Sequence, residues 1–471
     1  MIPRLHTRAG FATLALGVCV GISACGGTLE QRDGGADSEL LHSAMDQLTD
    51  VIVYDIFSPP QASRAYAYAS VAAFEAARHD RADYGSLAGR LNGLTAVPAP
   101  DPGMEYSFPL ASVHAFLTVG KALTFSPVRV DSIRAALIEE FRRRGVPDAV
   151  HERSTAYGEQ VAAHILAWSR GDGFLERLGL PKFTVTPDDG RWVPTPPGYM
   201  DAVEPNWATL RPFVLDSASQ FRPVPPPPFD TAATSPFFRE VLDVYNTTRQ
   251  LTDEQQEMAH FWNNNPFTMN VQGHTMFATK QVSPGGHWMG IVAIASRKAG
   301  ADLVGSAEAY ARTAVAVADG FIVCWEEKFR SNLVRPETVI NTYLDETWEP
   351  LLQTPPFPEY TSGHSVISTA AATLLTDQFG ADFAFEDDTQ KPFGMAPRSY
   401  PSFEAAATEA AMSRLYGGIH YRAAIVVGQD QGRGVGGLVA QRVRPREGAV
   451  AVRTPAANAG DAPGSAVGSS H

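Results

Sequence analysis

The chain has 471 residues, 44% of them hydrophobic and 19% charged, a composition that excludes a disordered or fibrous protein and allows a substantial buried core. A formal net charge of −13 argues against a protein that lives on nucleic acid or on anionic lipid, so a phosphate-like anion would have to be held by a local cluster of positive charge.

In chain order the first element is a targeting segment. Residues 1–25, "MIPRLHTRAGFATLALGVCVGISAC", combine a basic start (Arg4, Arg8), an apolar run and small residues ahead of Cys25. The stretch 22–25, "ISAC", resembles the lipobox of bacterial lipoproteins, a family in which the signal is removed and the cysteine carries lipid. The resemblance implies a signal peptide over 1–24, lipidation of Cys25 and anchoring at the outer membrane or the periplasmic face, because Gly26 replaces the aspartate that often signals inner-membrane retention. An ordinary cleaved secretion signal is the alternative. Cys19 falls inside the signal, so Cys324 is the one remaining thiol and no intramolecular disulfide is expected. No later segment reaches membrane-spanning length without charge, so membrane contact is expected only through the lipid. Residues 25–39 read as a flexible tether, and 446–471 as a disordered tail rich in Ala, Gly, Pro and Ser.

Between them, over 40–445, apolar residues recur at three- and four-residue intervals in 60–80, 108–125, 128–145, 148–173, 235–249, 252–264, 306–333 and 364–380. The starts "SP" (235–236) and "TDEQ" (252–255) pair a hydroxyl cap with proline or acidic residues in the first turn. No convincing strand alternation appears. The expectation is an all-α catalytic unit of two packed helical bundles. A Pro-rich irregular segment, 183–232, interrupts it, either as a domain linker or as a loop that wraps the surface or lines a site.

Three motifs carry chemistry. In "KFRSNLVRP" (328–336), Lys328 and Arg335 are seven residues apart. On one helix, ended by Pro336, both would project from the same face, and an anion between them would relieve their repulsion. In "PPFPEYTSGHSV" (355–366), Ser362 brings a hydroxyl and Gly363 a bare amide to the positive end of a helix dipole, and His364 can exchange a proton near neutral pH. In "SRLYGGIHYR" (413–422), Arg414 offers a planar fork of donors and His420 follows across a Gly-Gly break. Singly, each has a plain structural reading: a solvated basic face, an N-cap serine with a packed histidine, a surface arginine with a core histidine. All three in this order by accident is on the order of 10⁻⁴ or less.

Together they resemble the superfamily that joins vanadium-dependent haloperoxidases and type 2 phosphatidic acid phosphatases. "GRWVPTPPGYMDAVEPNWATLRPF" (190–213) and "FWNNNPFTMNVQGHTMFATKQVSPGGHWMG" (261–290) are similar to segments of its bacterial haloperoxidase-like members, and the likeness spans about 40–445. The resemblance implies the fold of vanadium chloroperoxidase and vanadate as cofactor. It implies that Lys328, Arg335, Ser362, Gly363 and Arg414 hold the vanadate oxygens, that His420 ligates the metal and that His364 is the acid–base group. Lys328 would also polarise bound peroxide. Trp325 and Phe357 match aromatic positions that shape the halide region of fungal-type chloroperoxidases.

The activity so implied is oxidation of halide, iodide or bromide first, by hydrogen peroxide. An acid phosphatase working through a phosphohistidine on His420 is the alternative, and a non-catalytic oxyanion-binding lipoprotein a third. Two departures stand out. Ala424 occupies the position where the phosphatases usually place an aspartate that orients the nucleophilic histidine, and Thr361 the position where proline often precedes Ser-Gly-His. The organic acceptor is not legible. Helical enzymes of this size often pair, so a homodimer is an open expectation. His260, His274 and His287 read as buried histidines satisfied by backbone, or else as groups near the site, and Asn263–Asn265 are undecided.

Overall fold

A computed structural model describes residues 34–446 except 187. The signal peptide, Cys25, most of the tether and the tail beyond residue 446 lie outside the described residues. The protein is all-α, as expected, with small β additions. The first group of helices is α1 (Gly34–Tyr54), α2 (Pro59–Ala77), α3 (Phe108–Leu123), α4 (Pro127–Arg143) and α5 (Asp148–Arg170). Helix α1 takes in residues 34–39, so regular structure begins within the stretch expected as tether.

The second group comprises α6 (Pro236–Thr248), α7 (Asp253–Phe261), α8 (Pro284–Ala299), α9 (Leu303–Ser331), α10 (Pro336–Tyr343), α11 (Gly363–Phe379), α12 (Phe403–Tyr416) and α13 (Arg422–Arg442). Side-chain caps start many of them. Ser235 accepts from the Phe238 amide ahead of α6, and Thr252 and Gln255 form a reciprocal capping box on α7. Two short antiparallel hairpins, β1 (Met269–Gln272) with β2 (Thr275–Ala278) and β3 (Phe385–Asp387) with β4 (Arg398–Tyr400), escape a reading by alternation because each strand is only three or four residues long.

Helix α9 is the spine. It runs 29 residues, is buried along nearly its whole length, and packs against α1 and α2 on one side and α11 and α13 on the other. One continuous apolar core therefore joins the two helical groups, and a smaller one lies under α6, α10, α12 and α13. Helices α11 and α13 pack backbone to backbone. Gly428, Gly432 and Gly436 recur every fourth residue along one face of α13, and a Cβ at Gly432 would lie 2.2 Å from the Val366 carbonyl oxygen of α11. That close approach presses the start of α11, the Ser-Gly-His turn, against the start of α13.

The expected single helix through Lys328 and Arg335 is corrected. Helix α9 stops at Ser331, where Asn332 adopts the left-handed conformation with φ 47°. Pro336 does not end a helix; it opens α10 as its first residue, with Arg335 at the N-cap. The Pro-rich segment is a strap on the body of the fold. The backbone amides of Phe213, Val214 and Leu215 donate to the buried Asp319 carboxylate of α9 at 2.6, 2.8 and 3.2 Å. The Val203 amide donates to the Pro356 carbonyl at 3.0 Å, and the Tyr360 hydroxyl to the Val224 carbonyl at 2.7 Å.

Candidate active site

The three motifs meet at one cavity. Gly363, His364, Arg414 and His420 form its polar side, and Phe267, Trp325 and Phe357 its aromatic side. Lys328, Arg335 and Ser362 stand directly behind that wall, each fully buried.

His420 follows the Gly417–Gly418 break after α12, where Gly418 takes φ 76° and turns the chain back toward α13. Its Nδ1 lies 2.7 Å from Oε1 of Glu359, and its Nε2 lies 3.2 Å from Nη1 of Arg335. Arginine can only donate, so Nε2 must carry the lone pair and Nδ1 the proton, which it donates to the Glu359 carboxylate. The same carboxylate oxygen accepts from the Tyr421 amide at 3.0 Å. Burial, with the charges of Arg335, Lys328 and Arg414, holds the His420 imidazole neutral by pushing its pKa well below the usual histidine range. Burial pushes Glu359 the other way, to about 7, against the pull of Arg335 and Lys328.

Glu359 is the functional residue that sequence reading missed. Its signal was an isolated carboxylate in the apolar stretch "PPFPEYT". It lines a small cavity together with Ala424, so the orienting carboxylate comes from the loop before α11 and not from the turn after His420.

The three cations are arranged unequally. Lys328 Nζ donates to the carbonyls of Pro358, Glu359 and Thr361 at 3.1, 2.9 and 2.5 Å, so all three of its protons brace the loop that carries Glu359. Arg335 donates through Nε to the Phe357 carbonyl at 2.9 Å and through Nη1 to that of Ile419 at 2.8 Å, while its buried Nη2 has no partner. Arg414 donates through Nη2 to the Trp262 carbonyl at 2.6 Å, at the end of α7. Burial lowers Lys328 to about 8, Arg335 to about 10 and Arg414 to about 9, all above neutral, so the positive charge persists at pH 7. Three cations against one carboxylate leave the pocket net positive and suited to an oxyanion.

Ser362 is the N-cap of α11, its Oγ accepting from the Ser365 amide at 3.4 Å. Thr361 therefore does not cap; its hydroxyl donates to Gln431 Oε1 at 2.8 Å. Gly363 sits at the first helical position, where the amide has no intrahelical acceptor, and an added Cβ would meet nothing closer than Trp325 at 4.0 Å. His364 Nε2 is buried without a partner, and the nearby Trp262 carbonyl favours a proton on the ring without offsetting burial. Burial, Arg414 and His287 push its pKa well below the usual range, so it too is neutral.

An open amide, an unpartnered guanidinium nitrogen and two neutral imidazole nitrogens thus converge on a positive pocket. These residues fit a tetrahedral oxyanion such as vanadate.

The other histidines divide. His260 and His274 are exposed, which corrects the expectation of burial for both. His287 is buried but satisfied by side chains, with Nε2 2.8 Å from Asp387 Oδ2 and Nδ1 3.0 Å from Asn264 Oδ1, and it stacks on Trp262 at 4.3 Å. Trp325 and Phe357 do face the cavity together, their rings 4.9 Å apart.

The family model described as VCPO second helical-bundle domain matches residues 308–446, the part that carries all three motifs. No curated protein matches the chain. The crystal structures of a holo-type and an apo-type bacterial vanadium-dependent chloroperoxidase share the fold. The holo form is 18% identical with a TM-score of 0.60 over 85% of this chain and 92% of that one, and the apo form 17% identical with a TM-score of 0.61 over 80% and 92%. The crystal structure of a bacterial vanadium-dependent iodoperoxidase is much nearer, 48% identical with a TM-score of 0.82, covering 87% of this chain and 97% of that one. With that identity across nearly the whole of a solved relative, the chain belongs to the vanadium-dependent haloperoxidase family.

Proposed function

We propose that the protein is a haloperoxidase that binds vanadate in this pocket and oxidises iodide, or bromide, with hydrogen peroxide. The observation that carries the reading is His420 Nε2, fixed as the lone-pair nitrogen by Glu359 behind it and capped only by a 3.2 Å contact from Arg335 beside it, at the wall of a positive cavity. The 48% identity to an iodoperoxidase supports iodide as the first halide to test. Vanadate, when bound, supplies the Lewis acidity that activates peroxide toward a halide.

The chain's own residues do the rest. His420 would offer Nε2 to the metal once Arg335 Nη1, 3.2 Å away, turns from it. The free Nη2 of Arg335 and the Gly363 amide would donate to the oxygens of a bound vanadate, with Arg414 adding positive charge. Ser362 keeps its hydroxyl proton available, since its oxygen only accepts in capping α11. His364 can take a proton at Nε2 from an entering peroxide and return it later. For Lys328 to polarise a bound oxygen it must release one of its three carbonyls; in the present arrangement it acts by stiffening the loop. Trp325 and Phe357 keep water from one side of the cavity and leave room for a soft, weakly hydrated halide.

A second reading stands on the same geometry, because an imidazole backed by a carboxylate is also a good nucleophile toward phosphate. Purified protein assayed twice separates them: with vanadate, peroxide and iodide, and, free of vanadate, with a chromogenic phosphate ester. Iodide oxidation that appears on vanadate loading is expected; ester cleavage without any iodide oxidation refutes the proposal. Within the proposal, His420→Ala abolishes vanadate retention, and His364→Ala slows turnover with vanadate still bound. We further propose a lipid anchor at Cys25, supported by the "ISAC" stretch alone.

A further inference from the structure

We propose that the side-chain amide of Asn265 is the hydrogen-bond donor that holds the halide in the cavity; the inference rests on the haloperoxidase reading above. The aromatic wall shapes the halide region but has no donor to offer it. The Trp325 indole N–H is spent on the Val203 carbonyl at 3.1 Å, and phenylalanine rings have none. The Lys328 ammonium is saturated by three carbonyls. A halide that gives up water in so closed a site needs a donor in return.

Asn265 supplies one. It is 8% exposed and lines the cavity, and its Nδ2 is buried with no partner. Its orientation is unambiguous. Oδ1 accepts from the Phe267 backbone amide at 2.9 Å, and a backbone N–H can only donate, so the free atom is the amide nitrogen. Neighbouring Asn264 also lines the cavity and its Nδ2 is likewise without a partner, but its Oδ1 lies 3.0 Å from His287 Nδ1. The Asp387 carboxylate at Nε2 and the Gln390 amide at Nδ1 make that Nδ1 an acceptor, so the Asn264 amide is better turned with its nitrogen to His287 and its oxygen to the cavity. The assignment is therefore made on Asn265. A peroxide at the same spot would want an acceptor as well, and the oxygen of Asn265 is turned to Phe267; a bare anion wants only the donor.

Asn265→Asp tests this. It keeps the size of the side chain and an oxygen for the Phe267 amide, and replaces the donor with a carboxylate oxygen. Loss of one hydrogen bond to a charged ligand, with repulsion from the new carboxylate added, predicts an iodide KM raised at least roughly tenfold to a hundredfold, with peroxide KM, measured at saturating vanadate, close to wild type. An unchanged iodide KM, or an equal rise in peroxide KM, overturns the assignment. Independently, crystals of the vanadate-loaded wild-type protein soaked in iodide without peroxide should show an anomalous peak within hydrogen-bonding reach of Asn265 Nδ2. A peak elsewhere in the cavity overturns the assignment even if the Asp variant does not fold. Iodide seated at Asn265 in a protein that oxidises no halide would support the subsite and refute only the proposed activity.

Discussion

Removing the Glu359 carboxylate tests whether control of the His420 tautomer is what makes the pocket a vanadate site. Glu359 Oε1 accepts two hydrogen bonds, from His420 Nδ1 at 2.7 Å and from the Tyr421 amide at 3.0 Å. Bonds to a charged acceptor are worth about 1.5–3 kcal/mol each. In Glu359→Ala the Nδ1 proton loses its acceptor, and only the 3.2 Å contact of Arg335 still opposes its move to Nε2, where the lone pair is needed. Loss of such a supporting group costs a ligating histidine about 10–100-fold in affinity, or about 1.4–2.7 kcal/mol. The lost negative charge works in the opposite direction, since it leaves the pocket more positive. Glu359→Gln separates the two effects: it removes the charge but keeps an acceptor for Nδ1–H. Vanadate binding, measured by equilibrium dialysis on variants that melt cooperatively, should therefore be close to wild type or tighter in the Gln variant and about 10–100-fold weaker in the Ala variant. Equal binding by folded Ala and Gln variants would refute the tautomer argument.

Gly432→Ala places a Cβ 2.2 Å from the Val366 carbonyl oxygen and must force α13 away from α11; urea unfolding should show a loss of about 1–3 kcal/mol or more, with iodide oxidation falling too because the Ser-Gly-His turn shifts. Burial pushes the pKa of His42, whose Nδ1 lies 2.8 Å from the Tyr310 hydroxyl, down to about 4. The unfolded chain takes that proton near pH 6.5 and the folded one refuses it, so the His42 contribution is whole above pH 6.5 and is lost as pH falls toward 4, by about 3 kcal/mol in all. Unfolding free energies at pH 7 and pH 4.5 should therefore differ less in His42→Gln than in wild type. Cys25→Ala should release the protein from bacterial membranes or block its processing; a wild type recovered in the soluble fraction without detergent, with a mature N-terminus other than residue 25, would refute the anchor.

Much of the site was legible along the chain, because its charged and hydrogen-bonding groups sit in short motifs whose local structure is self-determined. Ser362 caps a helix and Gly363 bares an amide wherever a Pro-rich loop meets an Ala/Thr/Leu run, and the hydroxyl–proline and hydroxyl–acid starts at residues 235 and 252 begin helices for the same local reason. What sequence alone settled was therefore the all-α class, most helix starts and the residue types of an oxyanion pocket. Contacts between distant segments decided the rest. Lys328 and Arg335 share no helix; a left-handed Asn332 parts them, and they serve one site only because Lys328 braces the 358–361 loop while Arg335 reaches His420. Glu359 is 61 positions from His420, and no periodicity links a carboxylate in one loop to an imidazole in another. Asn265 stood out in the sequence only as part of an undecided asparagine run, since an unpartnered amide becomes visible only when everything around it has been paired. Helical periodicity reports which face of an element is buried, whereas the pairing of buried polar groups depends on which elements meet, and that is set by the packing of α9, α11 and α13 around the cavity.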